Sequence, residues 1–116
     1  MGKENKIEKE GELIAFMILQ RDGFSILETN WHFQKYEVDI IAKKNGALIF
    51  IEVKSVANKK LLKPSKSIDT KKMEAYKGAA KEYLRQNPNK LEIRFDKLNI
   101  IIGKDETQIE HIPNAF

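Results

Sequence analysis

Four charged side chains between Tyr36 and Ser55, in YEVDIIAKKNGALIFIEVKS, have the types and spacing to act together on a phosphate ester. Asn45-Gly46 suits the left-handed backbone of a type I′ turn and so joins two strands into a hairpin. With those two residues at the centre of the turn, Lys44 faces Ala47, Ile41 faces Phe50, Asp39 faces Glu52 and Glu37 faces Lys54. Directly opposed side chains project on the same face, which gathers Asp39, Glu52, Lys54 and Glu37 into one polar cluster. A three-residue loop with a bulge would shift this pairing and separate the acids. Two carboxylates about 5 Å apart at Cβ repel each other. One must then take up a proton, or a cation must lie between them. Hard oxygen ligands without His or Cys suit Mg²⁺, or Mn²⁺ in its place, which binds through one or two carboxylates and a substrate phosphate. That spacing points to metal-assisted attack on a phosphodiester. In such a site Asp39, Glu52 and the Val53 carbonyl would hold the ion, Lys54 would face the phosphoryl oxygens, and Glu37 would orient Lys54. The plain alternative for Glu37 and Lys54 is an exposed cross-strand ion pair, worth at most about 1 kcal/mol.

The elements around the hairpin must hold this cluster. A helix is expected from Ile7 to Asp22, closed by Gly23 at its C′ position, with frayed residues before it. Leu13, Ile14, Phe16, Met17, Ile18 and Leu19 make it apolar almost all round, so it should be buried against the sheet. Glu12 lies on the face of Phe16 and Leu19, either aimed inward or solvated in a first turn that favours acids. Phe24 to Gln34 reads as a strand in which Trp31 and Phe33 pack. The hairpin's other face, with Val38, Ile40, Ala42, Ile49, Ile51 and Val53, is wholly apolar and needs a helix over it. Val56 to Lys66 has no periodicity and reads as a mobile loop. A second helix starts near Ser67 or Asp69 and ends before Pro88, with Met73, Tyr76, Ala80, Tyr83 and Leu84 as its buried stripe. Lys72 borders that stripe, and a lysine in a first turn opposes the helix dipole, which favours a recruited role. Leu91 to Gly103 and Thr107 to Ile112 are the last strands. The order helix, three strands, helix, strand, strand gives a mixed α/β sheet with helices on both sides.

Bulk properties narrow the classes. A chain of 116 residues that is 41% hydrophobic forms a single domain spanning residues 1–116. It has no cysteine, which excludes disulfides and thiolate metal sites and fits a reducing cytoplasm. No apolar run is long enough to span a bilayer, so no membrane partner is expected. The net charge is +4, and the basic residues concentrate between Lys59 and Lys90. In that stretch Lys59, Lys60, Lys63, Lys66 and Lys72 are candidate nucleic-acid contacts. A solvated helix face accounts for the charge equally well. His32 and His111 lack ligand spacing and are assigned no metal. Asp96 is either structural or an extra acid.

Asp39, twelve intervening residues and then Glu52-Val53-Lys54 resembles the D…(D/E)-x-K signature of the PD-(D/E)-x-K nucleases. The αβββαβ order is similar to their restriction-endonuclease-like core. A closer resemblance, over nearly the whole chain, is to the YraN family of small endonuclease-like proteins related in fold to Holliday-junction resolvases. The matching pieces include Gly11-Glu12, Asn30, Glu37-Val38-Asp39-Ile40-Ile41, Phe50-Ile51-Glu52-Val53-Lys54, Ile68-Asp69…Lys72, Arg94-Phe95-Asp96 and Asn114-Ala115-Phe116. Tyr36 stands where that family usually has a glycine. An arginine usual after the lysine is replaced by Ser55-Val56-Ala57. The resemblance implies Asp39 and Glu52 as metal ligands, Lys54 as the catalytic lysine, Glu12 as an accessory acid and Lys72 as the second-helix motif residue. It implies a Mg²⁺- or Mn²⁺-dependent endonuclease acting on nucleic acid, with DNA, including branched or junction DNA, as the first expectation. The competing class is a non-catalytic nucleic-acid-binding module on the same fold. A single small site cutting two strands symmetrically would need a homodimer.

Overall fold

The computed structural model describes residues 3–62 and 69–116. Helix α1 (Lys3–Arg21) is followed by strands β1 (Ser25–Phe33), β2 (Tyr36–Lys44) and β3 (Ala47–Val56). Helix α2 (Thr70–Gln86) then leads to β4 (Glu92–Ile102) and β5 (Thr107–Ile112). The strands form one sheet in the order β1-β2-β3-β4-β5. Only the β3–β4 neighbours are parallel. The crossover through α2 makes that parallel step possible, because parallel strands cannot be joined by a hairpin. Ala15 and Leu19 of α1 pack on Ile40, Ala42, Ile49, Ile51, Leu98 and Ile100. Tyr76, Ala79, Ala80 and Tyr83 of α2 pack on Ile41, Leu48 and Phe50 on the opposite face. This is a mixed α/β fold with two flanking helices, compatible with the expected αβββαβ core.

Local chemistry accounts for most boundaries. Asn45 and Gly46 take φ of +48° and +80°, and Lys44 pairs with Ala47, Ile41 with Phe50 and Ile40 with Ile51. The predicted register holds over that stretch. Gly23 takes φ of +89°; its N–H donates to the Gln20 carbonyl and that of Phe24 to the Leu19 carbonyl. This closes α1 with a Schellman motif, and the buried Leu19 and Phe24 supply its hydrophobic contact. Asp69 caps α2, its side chain accepting from the Lys72 N–H at 3.1 Å. The alternative cap, Ser67, lies outside the described residues.

Four expectations change. Helix α1 begins at Lys3 rather than Ile7. It is not buried all round: Leu13 and Met17 are 62% and 60% exposed. Only the Gly11, Ala15, Leu19 stripe reaches the sheet fully, as a helix lying on one face of a sheet can bury one stripe. The stretch after β3 is not featureless, since Lys59–Leu61 forms a 3₁₀ turn whose Asn58 cap accepts from the Lys60 N–H. Its remainder, residues 63–68, lies outside the described residues. Lastly, Val38 does not share a face with Ile40. It packs with Tyr76 and Tyr83 on the α2 side, whereas Ile40 packs with α1. The exchange of faces falls at Asp39. Across the ladder, Thr29 pairs with Ile40 and Trp31 with Val38, and Asn30 between them has φ of +50°. A left-handed residue inside a strand turns the backbone over and breaks the alternation.

Gly11 sets how closely α1 approaches β3. A Cβ on Gly11 would fall 1.6 Å from the Ser55 Oγ and 2.6 Å from the Ser55 Cβ. Gly11→Ala is therefore expected to cost about 1–3 kcal/mol in urea unfolding, despite alanine's better helix propensity. A second change, Ser55→Gly, should recover most of that loss. An unchanged midpoint in the single variant would show that α1 can shift without penalty.

Candidate functional site

The β2–β3 ladder ends at Ile40–Ile51, before Asp39 and Glu52 could pair in register. Beyond that point the Asp39 side chain replaces the missing backbone partner, its Oδ2 accepting from the Val53 N–H at 2.8 Å. The expectation that Asp39–Glu52 and Glu37–Lys54 are ladder pairs is thus corrected. The strands part at Asp39, and a carboxylate bridges them. A strand residue presents its N–H and C=O to the same neighbour, so the Val53 carbonyl also opens towards β2 at this break. The parted strands form the floor of a cleft of about 470 Å³. Its walls include Asp39, Glu52, Val53, Lys54, Glu12 and Lys72. The face exchange at Asn30 and Asp39 lets α1 and α2, on opposite sides of the sheet, both contribute to it.

The two acids have different surroundings. Burial raises the Asp39 pKa to about 6, with the Glu52 and Glu37 charges adding to the rise. The Val53 N–H and the Lys72 ammonium pull the other way. Glu52 has a side chain only 14% exposed, and its Oε2 meets the Lys72 ammonium in an ion pair. That oxygen is sealed from solvent, and among the described residues the Lys72 ammonium is what meets it. Burial works against the charge on Lys72, but the contact with Glu52 and the nearby Asp39 prevail and its pKa is raised. Tyr76 lies beneath the pair. Burial pushes its hydroxyl pKa up, and the Asp39 and Glu52 charges push it further.

The remaining expected residues divide. Lys54 is exposed and lines the cleft, and among the described residues no ion pair holds its ammonium. Glu37 lines the cleft too but does not orient Lys54. It is paired with His32 on β1, Nε2 to Oε1, at 3.4 Å. Glu12 is exposed and faces the cleft from α1. Lys59 is engaged by Glu110 at 3.2 Å, and Lys60 is exposed on the 3₁₀ turn. Lys63 and Lys66 lie outside the described residues. Among the described residues no three His, Cys, Asp or Glu side chains converge as a metal cage.

Lys97 and Asn99 also line the cleft, and the hairpin pattern did not point to them. The parallel register sets Lys97 beside Glu52 and Asn99 beside Lys54. A signal existed for Asn99, a lone polar residue in the apolar run Leu98–Ile102 that is only 8% exposed. None existed for Lys97, because no turn fixes the β3–β4 register. Asn30, which only the family resemblance singled out, is a third wall residue.

Asp96 is separate from this cleft. It is fully buried and held by Arg94 through two 2.9 Å hydrogen bonds. His111 Nε2 lies 2.8 Å from Oδ2, and the Asn114 N–H donates to Oδ1 at 3.1 Å. The Ala115 N–H donates to the Phe95 carbonyl, and the Phe116 ring meets Tyr76 edge-on. The Asn114-Ala115-Phe116 segment therefore ties β4 to the side chain beneath Asp39, and Asp96 is structural.

The family model described as "Uncharacterised protein family UPF0102" matches residues 11–100. A UPF0102 protein of Parabacteroides distasonis is 40% identical over 116 residues, spanning all of this chain and 96% of the relative. One from Flavobacterium psychrophilum is also 40% identical, over all of this chain and 98% of its own. A more divergent one, from Syntrophomonas wolfei, is 34% identical over 91% of this chain and 93% of its own.

Proposed function

The chain belongs to the uncharacterised protein family UPF0102, and from that premise we propose that it is a metal-dependent endonuclease of the PD-(D/E)-x-K type. It would hydrolyse phosphodiester bonds in nucleic acid, DNA first and branched or junction DNA among the forms to be tried. One observation carries the reading: Asp39 and Glu52 converge at the point where β2 and β3 part, with the Val53 amide already turned towards Asp39.

The residues present fit a small divalent ion. Glu52 Oε2 is a solvent-sealed oxygen that already takes a cation, the Lys72 ammonium, as its neighbour. Asp39 resists ionising until about pH 6, which a neighbouring cation would reverse. Two carboxylates and a backbone carbonyl form a hard donor set, short of a full cage. Mg²⁺ ordinarily completes such a set with water and substrate phosphate. When bound, the ion would supply a water of lowered pKa and neutralise charge on the phosphate.

The chain's own groups do the rest. Asp39 and Glu52 fix the ion's place relative to the parted strands. Lys54, exposed and held by no ion pair among the described residues, would lie against the phosphoryl oxygens as charge builds there. Glu12 faces the same space and would orient water. Lys60 and Lys97 would meet flanking phosphates, giving binding that weakens steeply with salt. Symmetric cutting of a duplex would need two copies of the chain.

A second reading is favoured by one contact. Lys72 already balances the Glu52 charge, as would suit a module that holds nucleic acid without a metal. A cleavage panel separates the two. Duplex, junction, flap, single-stranded DNA and RNA would be incubated with Mg²⁺ or Mn²⁺, and again with EDTA. Metal-dependent nicking of at least one DNA form, lost in EDTA, is expected. Binding without cleavage of any form would favour the module.

A further inference from the structure

We propose that Lys72 is a displaceable internal counter-ion, one that occupies Glu52 in the metal-free protein and must leave before a divalent cation can bind. This rests on the metal site proposed above and adds what controls its occupancy. Three features of Lys72 set it apart from an ordinary solvated lysine. It lies in the first turn of α2, where the helix dipole disfavours a cation. It reaches across to β3 rather than into open solvent, and its side chain is 47% exposed. Its ammonium meets a Glu52 oxygen that is sealed from water.

A buried carboxylate left unpaired is costly, and some cation has to balance it. A lysine is suited to doing so temporarily. Its single charge sits on a flexible four-carbon stem, whereas the arginine fork would hold both carboxylate oxygens more firmly. About half of the side chain is already exposed, so the ammonium can withdraw along the cleft without unpacking α2, whose buried residues begin at Tyr76. Asp69 caps the helix through the Lys72 backbone N–H, a contact that withdrawal of the ammonium leaves in place. Lysine and divalent ion therefore compete for Glu52.

The test is calorimetric titration of Mn²⁺ into the full chain, metal-free at the start, as wild type, Lys72→Met, Lys72→Arg and Lys71→Met. Lys71 is the adjacent exposed lysine, and its replacement makes the same change in net charge. Lys72→Met is expected to bind Mn²⁺ about tenfold more tightly than wild type or better, the scale of one charge-assisted contact. Lys72→Arg should bind no more tightly than wild type. Lys71→Met should stay within about twofold of wild type, as screening of an exposed charge requires. Equal gains in the two Met variants would reduce the effect to net charge and overturn the proposal. Equal affinity in wild type and Lys72→Met would overturn it while leaving the metal site intact. No Mn²⁺ uptake by any of the four would remove the metal site itself. Thermal melts of the metal-free variants check that each is folded.

Discussion

Glu52→Gln is expected to lower metal-dependent cleavage by about 10²–10³-fold or more while nucleic-acid binding survives. The amide keeps the shape of the carboxylate but not its charge, so the cation site loses half its acid pair. Loss of one preorganised electrostatic element at a reacting centre commonly has that effect. Binding depends instead on lysines such as Lys60 and Lys97, which the change leaves in place, and it should still weaken steeply with salt. Single-turnover cleavage alongside a gel-shift assay measures both. Cleavage within a few fold of wild type would remove Glu52 from the reaction.

Asp96→Ala is expected to be the most damaging single change to stability, costing about 3–5 kcal/mol in urea unfolding at neutral pH. The carboxylate has no exposed surface. Its removal strands the Arg94 guanidinium, the His111 ring and the Asn114 N–H, which all lose their shared partner. Breaking a buried pair by deleting one member typically costs that much. Burial by itself would raise the Asp96 pKa, but His111, Arg94 and the Asn114 N–H outweigh it and hold the carboxyl below its ordinary 3.8. A depressed carboxylate stabilises the fold above its unfolded pKa, and that stability is lost as pH falls through the folded value. The gap between wild type and variant should therefore narrow below about pH 4. A loss under about 1 kcal/mol at neutral pH would mean that water replaces the carboxylate in this network.

Asp39 carries the opposite sign. Its folded pKa of about 6 lies above the ordinary 3.8. The group therefore favours the fold below pH 4, and that contribution disappears as pH rises through 6. Without metal, Asp39→Asn should be more stable than wild type at pH 8, by about 3 kcal/mol at most, with no advantage at pH 4. The amide oxygen can still accept from the Val53 N–H. A stabilising substitution at this position would mark a residue kept for its chemistry at the expense of the fold.

The hairpin was readable because its determinants are local. Asn45-Gly46 fixes the turn, alternation assigns most side chains to faces, and Gly23 and Asp69 close and open their helices. What escaped reading depends on distant partners. The exchange of faces at Asp39 lies opposite the left-handed Asn30, and nothing in β2 alone reports it. It moved Val38 to the α2 side and turned an expected Asp39–Glu52 ladder pair into a side-chain bridge to Val53. The parallel register that brings Lys97 and Asn99 to the cleft spans a whole helix, with no turn to set it. Lys72 was partly legible, since a lysine opposing a helix dipole suggests recruitment, although Glu52 as its partner did not follow. Arg94 and Asp96, two apart on one strand face, could have been paired by alternation, but His111 and Asn114 close that network from far along the chain.

The central claim is that the two acids at the parted strands are a cation site. Its most direct measurement is calorimetric titration of Mn²⁺ into wild type and Asp39→Asn at about pH 7.5 and pH 5. Wild type should take up one ion at millimolar concentration or below, more tightly at the higher pH, where Asp39 is ionised. Asp39→Asn should take up none at either. Absence of uptake by wild type, or equal uptake by the variant, would contradict the account.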